Sequence, residues 1–283
     1  MPTTRHFALR TVEVLFKHSL LIAALVIMLY PLGWLFTSSL LPTDKIFGGG
    51  PLAWSDLSLD NYLNGWNQLT YPFGRYLLNS VLLATLAIIG NVLACSAAAY
   101  CFARLEFPFR RVLFALMLGM LMVPIHVTLV PQYVLFSKLG WVDTYLPLII
   151  PKFLAVDSFF VFLMYQFIRG LPRELDQAAY VDGAGPVRTF VHLVVPLLKP
   201  AIATTATFTF IWTWNDFLAQ LIYISSPDLT TVPLALRQFM DSTGGSSWGE
   251  LLAMSGLSLV PLLVFFIFMQ RYLVEGIATS GLK

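Results

Sequence analysis

The sequence predicts an all-α integral membrane protein, with six transmembrane helices and a long helical loop between the fourth and fifth. Three observations carry this. Of 283 residues, 58% are hydrophobic and only 11% charged, against about 25% charged in a soluble domain. Six apolar stretches approach the ~20 residues a helix needs to cross the hydrocarbon core. The connections between them alternate between base-poor and base-rich.

The first span covers residues 18–40. Arg5, Arg10 and Lys17 precede it as in a signal peptide, but the apolar run outlasts a usual h-region and lacks a small-x-small cleavage site. A retained span after an N-terminal segment 1–17 is expected. Residues 41–75 contain "GGGP" and Trp54, Tyr62, Trp66 and Tyr71, rings that suit a membrane–water interface. A surface loop with no specific partner explains that segment equally well. The remainder, 76–275, holds spans at 76–103, 112–131, 148–168, 201–224 and 251–273, with a tail at 276–283. Pro124 and Pro261 predict kinks.

Lys and Arg favour the cytoplasmic side. The connections after spans one, three and five hold only Lys45, Arg75, Lys138 and Arg237. The N-terminus and the connections after spans two and four hold Arg5, Arg10, Lys17, Arg104, Arg110, Arg111, Arg169, Arg173, Arg188 and Lys199. Both termini and the 169–200 connection are therefore expected inside the cell. Net charge is +2 with no basic stripe interleaved with aromatics, so no nucleic-acid partner is expected. Cys95 and Cys101 lie about 9 Å apart along a helix axis, too far for a disulfide. They are expected to pack, and no metal site is predicted.

The 169–200 connection is too structured for a simple turn. Pro172 suits a first helical turn, and Glu174 and Asp176 complement the positive end of the dipole. Leu171, Leu175, Ala178 and Ala179 share one face, and Asp182-Gly183 ends the helix. After Gly185-Pro186 a second helical pattern carries Val187, Phe190, Val191 and Val194, until Pro196 and Pro200 break it. Two short helices at a glycine-defined angle are predicted. The alanine face would let another protein's backbone come close. From the residues alone, a docking element and a bland interfacial helix pair both stand.

The motif resembles the EAA loop of ABC-importer permeases. Gln177-Ala178-Ala179 is followed by three residues, Gly183, nine residues and then Leu193-Val194-Val195-Pro196. The fuller "AAYVDGAG…VVPLLKPA" is similar to the carbohydrate-uptake branch, near the second permease subunit of maltose-type importers. "YLLNSVLLA", "AAAYCFARLEFPFR", "WNDF" and "LVEGIATSGLK" extend the match over nearly the whole chain. The resemblance implies that the first helix is a coupling helix, seated in a cleft of a separate, dimeric ATPase. Ala178, Ala179 and Gly183 would form the docking surface, Asp182 the turn, and Pro196 the motif's end. Gln177 departs from the usual Glu and cannot form a salt bridge; Glu174 or Asp176 is the alternative charged contact. The tail, Ser280 to Lys283, would reach between the ATPase subunits. The resemblance also implies a second, non-identical permease subunit, an external solute-binding protein, and a bacterial or archaeal cytoplasmic (inner) membrane.

No G-x-x-x-x-G-K-[ST] loop is present. The chain is therefore expected to be a non-catalytic transporter subunit binding no cofactor, with ATP and Mg on the partner ATPase. An ionisable residue inside a span marks a candidate site. Asp216 does so in "IWTWNDFLAQ", on a face with Gln220 and beside Trp212 and Asn215. These four form a possible sugar path; tying helices together or capping a break is the structural alternative. Lys152 and Asp157 are five apart, awkward for a pair within one helix, and Lys152 is free to snorkel. Asn79, Asn91 and His126 suit interhelical hydrogen bonds. The expected cargo is a di- or oligosaccharide, with a polyol phosphate such as glycerol phosphate as alternative. An ion-coupled secondary transporter would show internal repeats, and an intramembrane enzyme a paired catalytic set. Neither pattern is found in the sequence.

Overall fold

The computed structural model describes residues 3–48, 54–240 and 247–280, and every regular element among them is helical. The chain forms two compact units, Met1–Gln68 with Phe239–Leu257, and Leu69–Gln238 with Ser258–Lys283. Helices α1 (Thr3–Ser38), α2 (Thr43–Ile46) and α3 (Asp60–Asn67) belong to the first unit.

The second unit holds α4 (Phe73–Arg104), α5 (Arg110–Met120), α6 (Ile125–Lys138), α7 (Leu146–Ile149) and α8 (Ser158–Gly170). These are followed by α9 (Glu174–Val181), α10 (Pro186–Thr189), α11 (Val195–Leu197), α12 (Lys199–Asn215), α13 (Leu218–Tyr223) and α14 (Val232–Gln238). The last helix, α15 (Trp248–Ser280), begins in the first unit and continues in the second.

In the first unit, the apolar window of α1 within Glu13–Ser38 is unburied from end to end. A helix apolar all round and unburied by its own chain needs lipid or another protein around it. Beyond α1 the chain is pinned by Asn61, whose Nδ2 donates to the carbonyls of Ser39 and Leu41, both at 2.8 Å. Gly249 faces that amide so closely that a Cβ there would lie 2.5 Å from Asn61 Oδ1. The 41–75 segment thus carries regular structure of its own in α2 and α3.

The second unit is built around α4, which packs against α8, α12, α14 and the 3-10 turn Ile150–Leu154. Its buried positions, Phe73, Tyr76, Ser80, Leu83, Ala84, Ala87, Asn91, Cys95, Ala99 and Ala103, recur at helical spacing, and most are small. Small residues let backbones approach where apolar surface alone gives no drive to associate within lipid. Gly90 is the tightest case: a Cβ would come 2.5 Å from the Phe153 ring. One polar clip crosses this core, Asn91 Nδ2 to Thr209 Oγ1 at 2.8 Å. At the start of α4, Asn79 Nδ2 donates to the Asp228 and Thr230 carbonyls, and Ser80 Oγ accepts from Val232 N–H.

Four helical segments are long and apolar enough to cross a membrane: Glu13–Ser38, Phe73–Arg104, Leu146–Gly170 and Trp248–Tyr272. A fifth candidate is the pair Pro186–Leu197 and Lys199–Asn215, bent by 76°. Residues 112–131 do not form one helix: α5 ends at Met120, and Pro124, extended at ψ 131, caps α6. Proline disfavours the α conformation in the residue before it, so a turn separates the two. Pro261, by contrast, lies inside the uninterrupted α15.

Candidate functional site

Helix α9 stands out from the unit on two supports. Arg104, the last residue of α4, pairs its Nε with Asp176 Oδ2 at 2.9 Å, and its second guanidinium nitrogen donates to the Leu171 carbonyl at 2.9 Å. The carboxylate contact is an ion pair without the alignment of a good hydrogen bond. Arg104 is largely buried, its side chain 7% exposed, so a charge there requires its partner. Asp176 is therefore committed within the chain, while Glu174 and Gln177 stay exposed. Gln177, Arg173, Asp176 and Tyr180 line a groove of about 260 Å³ beside α9.

The end of α9 is a Schellman turn. Ala184 N–H reaches the Ala179 carbonyl at 2.9 Å, Gly183 N–H reaches Tyr180 at 3.0 Å, and Gly183 sits at φ +77. That pairing with a left-handed residue satisfies carbonyls the helix end would leave free. Ala178 and Asp182 are exposed and Ala179 is half-buried. Around them Tyr180, Val181 and Val187 are 81%, 84% and 76% exposed. The sequence reading drew attention to the small alanines, placed Val187 in the stripe of the second helix, and overlooked Tyr180 and Val181. The signal for those two was present, as bulky apolar residues leading into an otherwise polar turn.

The second support is the segment after α10. Phe190–Val194 winds as a π-helix, α11 carries the exposed Pro196, and α12 begins at Lys199. π-turns inside helices are frequent at functional sites. Val194, Leu198 and Ala201 are fully buried against Cys95, Ala99, Phe160, Val161, Met164 and Ile168. The stem of the knob is thereby packed into the same cluster as α4 and α8.

The other end of α12 opens on a cavity of about 520 Å³. Helix α12 stops at Asn215 because Asp216 turns extended (ψ 96). Asp216 Oδ1 then accepts from Ala219 N–H at 3.0 Å, closing the first turn of α13. Gln220 is 1% exposed. Its Nε2 donates to the Thr213 carbonyl at 2.9 Å, and its Oε1 accepts from Thr231 Oγ1. Both ends of that amide are engaged, so Gln220 shapes the break. Trp212 is 48% exposed, packed on Phe159, Phe160 and Phe208. Asn215 is exposed, with its Nδ2 donating to the Ile211 carbonyl.

Lys152 and Asp157 face the same cavity and form an ion pair at 2.7 Å. Five-residue spacing is awkward in an α-helix, but here the chain runs through a 3-10 turn and a left-handed Ala155 at φ +54. The reversal brings the two side chains together. Of the tail residues, Ser280 ends α15 and Lys283 lies outside the described residues. Among the described residues no cluster of His, Cys, Asp or Glu is arranged to hold a metal.

The helical unit thus carries an exposed loop with a bulky apolar face and, at the far end of α12, a polar cavity. The chain belongs to the family of binding-protein-dependent transport system inner membrane components, matching it over residues 90–279. It is 33% identical over 275 residues to the trehalose/maltose transport system permease protein MalG of Thermococcus litoralis, covering 96% of this chain and 98% of that one. It is 32% identical to the sn-glycerol-3-phosphate transport system permease protein UgpE of Pectobacterium atrosepticum, over 94% and 96%. Its fold matches a chain in the crystal structure of a bacterial ABC transporter involved in the import of the acidic polysaccharide alginate. The TM-score is 0.78, with 18% identity and coverage of 96% and 98%. The chain is thus the membrane permease subunit of an ABC importer, and ATP hydrolysis belongs to a separate subunit. ATPase and solute-binding protein partners follow from that membership.

Proposed function

We propose that this chain forms half of the translocation path for a neutral sugar, a di- or oligosaccharide, beside a second, non-identical permease subunit. Six spans with both termini in the cytoplasm put the 169–200 loop against a dimeric ATPase, in a bacterial or archaeal cytoplasmic membrane. That ATPase holds the ATP and Mg; this chain binds no cofactor. Gln177, Ala178, Ala179, Asp182 and Gly183 make the docking face together with Tyr180, Val181 and Val187. Glu174 fringes it, and Pro196 ends the segment that carries it. The observation that carries this reading is the projecting knob itself: its bulky apolar side chains are more than three-quarters exposed, while its stem is fully buried in the core. The Ser280–Lys283 tail is a further contact with the ATPase.

The cavity at the α12 break supports a neutral cargo. Trp212 offers an apolar ring face, and Asn215 and Asp216 offer groups for hydroxyls. Its charges are one ammonium, Lys152, against two carboxylates, Asp157 and Asp216, and the ammonium is already paired. An anionic cargo would meet net repulsion there. The second reading, a polyol phosphate, is favoured by the likeness to a glycerol phosphate permease. A test of both is the ligand that co-purifies with the cognate binding protein; a phosphorylated polyol would overturn the neutral assignment. For docking, a crosslinker at Ala178→Cys is expected to capture the ATPase. Gly183→Val is expected to abolish ATP-coupled uptake while membrane insertion survives. Uptake unchanged in that variant would sink the docking assignment.

A further inference from the structure

A second polar cavity, of about 650 Å³, lies apart from both the knob's apolar face and the α12 break. Three guanidinium groups line it: Arg110 and Arg111 from the first turn of α5, and Arg169 from the last turn of α8. Glu106 is the one carboxylate in the lining, leaving an excess of two positive charges. Arg110 spends one nitrogen on the Leu105 carbonyl at 3.0 Å. Arg111 and Arg169 are exposed. Guanidinium forks match phosphate oxygens in geometry and charge.

The surroundings select which phosphate. Both α4 and α8 fall within candidate membrane spans, and the cavity sits at their C-terminal ends, where apolar helix gives way to charge. Helix α5 has no buried residue, and Val112, Leu113, Leu116 and Met120 are each about half exposed, at 55%, 47%, 62% and 56%. An exposed apolar face therefore continues directly from the cationic cavity. Phe109, 77% exposed and held at φ +60, presents its ring at the cavity's edge. A bulky residue with positive φ is a backbone outlier. A soluble phosphate would use the guanidiniums and leave this apolar face idle, whereas an anionic phospholipid uses both.

We infer that Arg110, Arg111 and Arg169 form a binding site for the headgroup of an anionic phospholipid, whose acyl chains lie along α5. The site is independent of the transported solute. The test uses the complete transporter in nanodiscs of phosphatidylglycerol mixed with phosphatidylcholine, reading retained lipid by native mass spectrometry. The wild-type complex is expected to enrich phosphatidylglycerol, and Arg111→Gln with Arg169→Gln to lower that enrichment by about tenfold or more. Glu106→Gln, which removes the opposing carboxylate, is expected to raise it, and keeps the test decisive should the double variant assemble poorly. Equal retention of the two lipids by wild type, or unchanged enrichment in the arginine variant, overturns the site. Displacement by inorganic phosphate at tens of millimolar would assign it to a soluble anion instead. A crosslink from position 111 to a partner subunit, with no lipid enriched, would assign it to a protein contact.

Discussion

Arg104 joins two parts of the molecule that the sequence keeps far apart, the end of α4 and the first turns of α9. Reversing one charge, as in Arg104→Glu, puts two carboxylates together. A partly buried pair broken on one side costs about 1–3 kcal/mol after screening. Transport is expected to fall with little loss of protein in the membrane, and Asp176→Arg in the same chain to restore part of it. Uptake by reconstituted vesicles checks this; no rescue would mean that Arg104 acts elsewhere. Asp143, in the turn before α7, accepts from the Ser226 hydroxyl and the backbone N–H groups of Ser226 and Ser225. These donors hold its carboxyl below the usual value of 3.8. A depressed carboxyl gives stability that is full above the unfolded value and lost as pH falls through the folded one. The clamp should thus be insensitive between pH 5 and 8 and release only in strong acid, which hydrogen exchange at Ser225 and Ser226 would follow. Asp143→Asn should raise exchange there at neutral pH.

At the scale of elements, what could be read from the sequence depended on how local its cause was. The α9 turn was legible because one glycine at φ +77 and a fixed spacing dictate it. Four of the six apolar runs fall on helical segments long and apolar enough to cross a membrane, since hydropathy needs no neighbours. The interruptions, in three of the six, were legible only in part: Pro124 predicted a kink and capping a break was the alternative reading of Asp216, but nothing announced the break before Ser158. Hydropathy reports that 112–131 and 201–224 are greasy and is silent about helix continuity, which fails at Leu121–Pro124 and at Asp216. Pro124 was a visible signal for the first. The second depends on Gln220 and Thr231, whose pairing is a product of tertiary packing. Likewise the Lys152–Asp157 pair follows from a left-handed Ala155 that no residue preference announces. The α12 break yields its own prediction. Gln220→Leu leaves the Thr213 carbonyl and the Thr231 hydroxyl without this partner, at about 1–3 kcal/mol each for a buried group. Lower thermal stability of the purified complex is expected, and an unchanged melting temperature would count against a structural role for the amide.

For the whole molecule, the proposed topology has a direct check. Cysteines introduced at Ser226 and at Val181 should react with membrane-impermeant maleimide from opposite sides, Ser226 from outside and Val181 only after the cells are opened. Labelling of both from one side would overturn the orientation. The buried stem residues make a second prediction at this scale. Leu198→Ala removes a fully buried side chain, a change that costs about 2–5 kcal/mol in close-packed cores. It is expected to leave ATPase binding intact and to lower the sugar moved per ATP hydrolysed. Proportional loss of both would mean general unfolding.

The 76° bend at Leu198 gives that stem a geometric consequence. Helix α12 continues from the bend for 17 residues, about 25 Å at 1.5 Å per residue. If the knob tilts by about 10° and α12 follows as a rigid arm, its far end sweeps about 4 Å. The Trp212 ring and Asp216 ride on that end. Such a stroke exceeds the width of a water molecule, so the cavity at the break would change shape on the scale of a solute's hydroxyl groups without any helix unwinding.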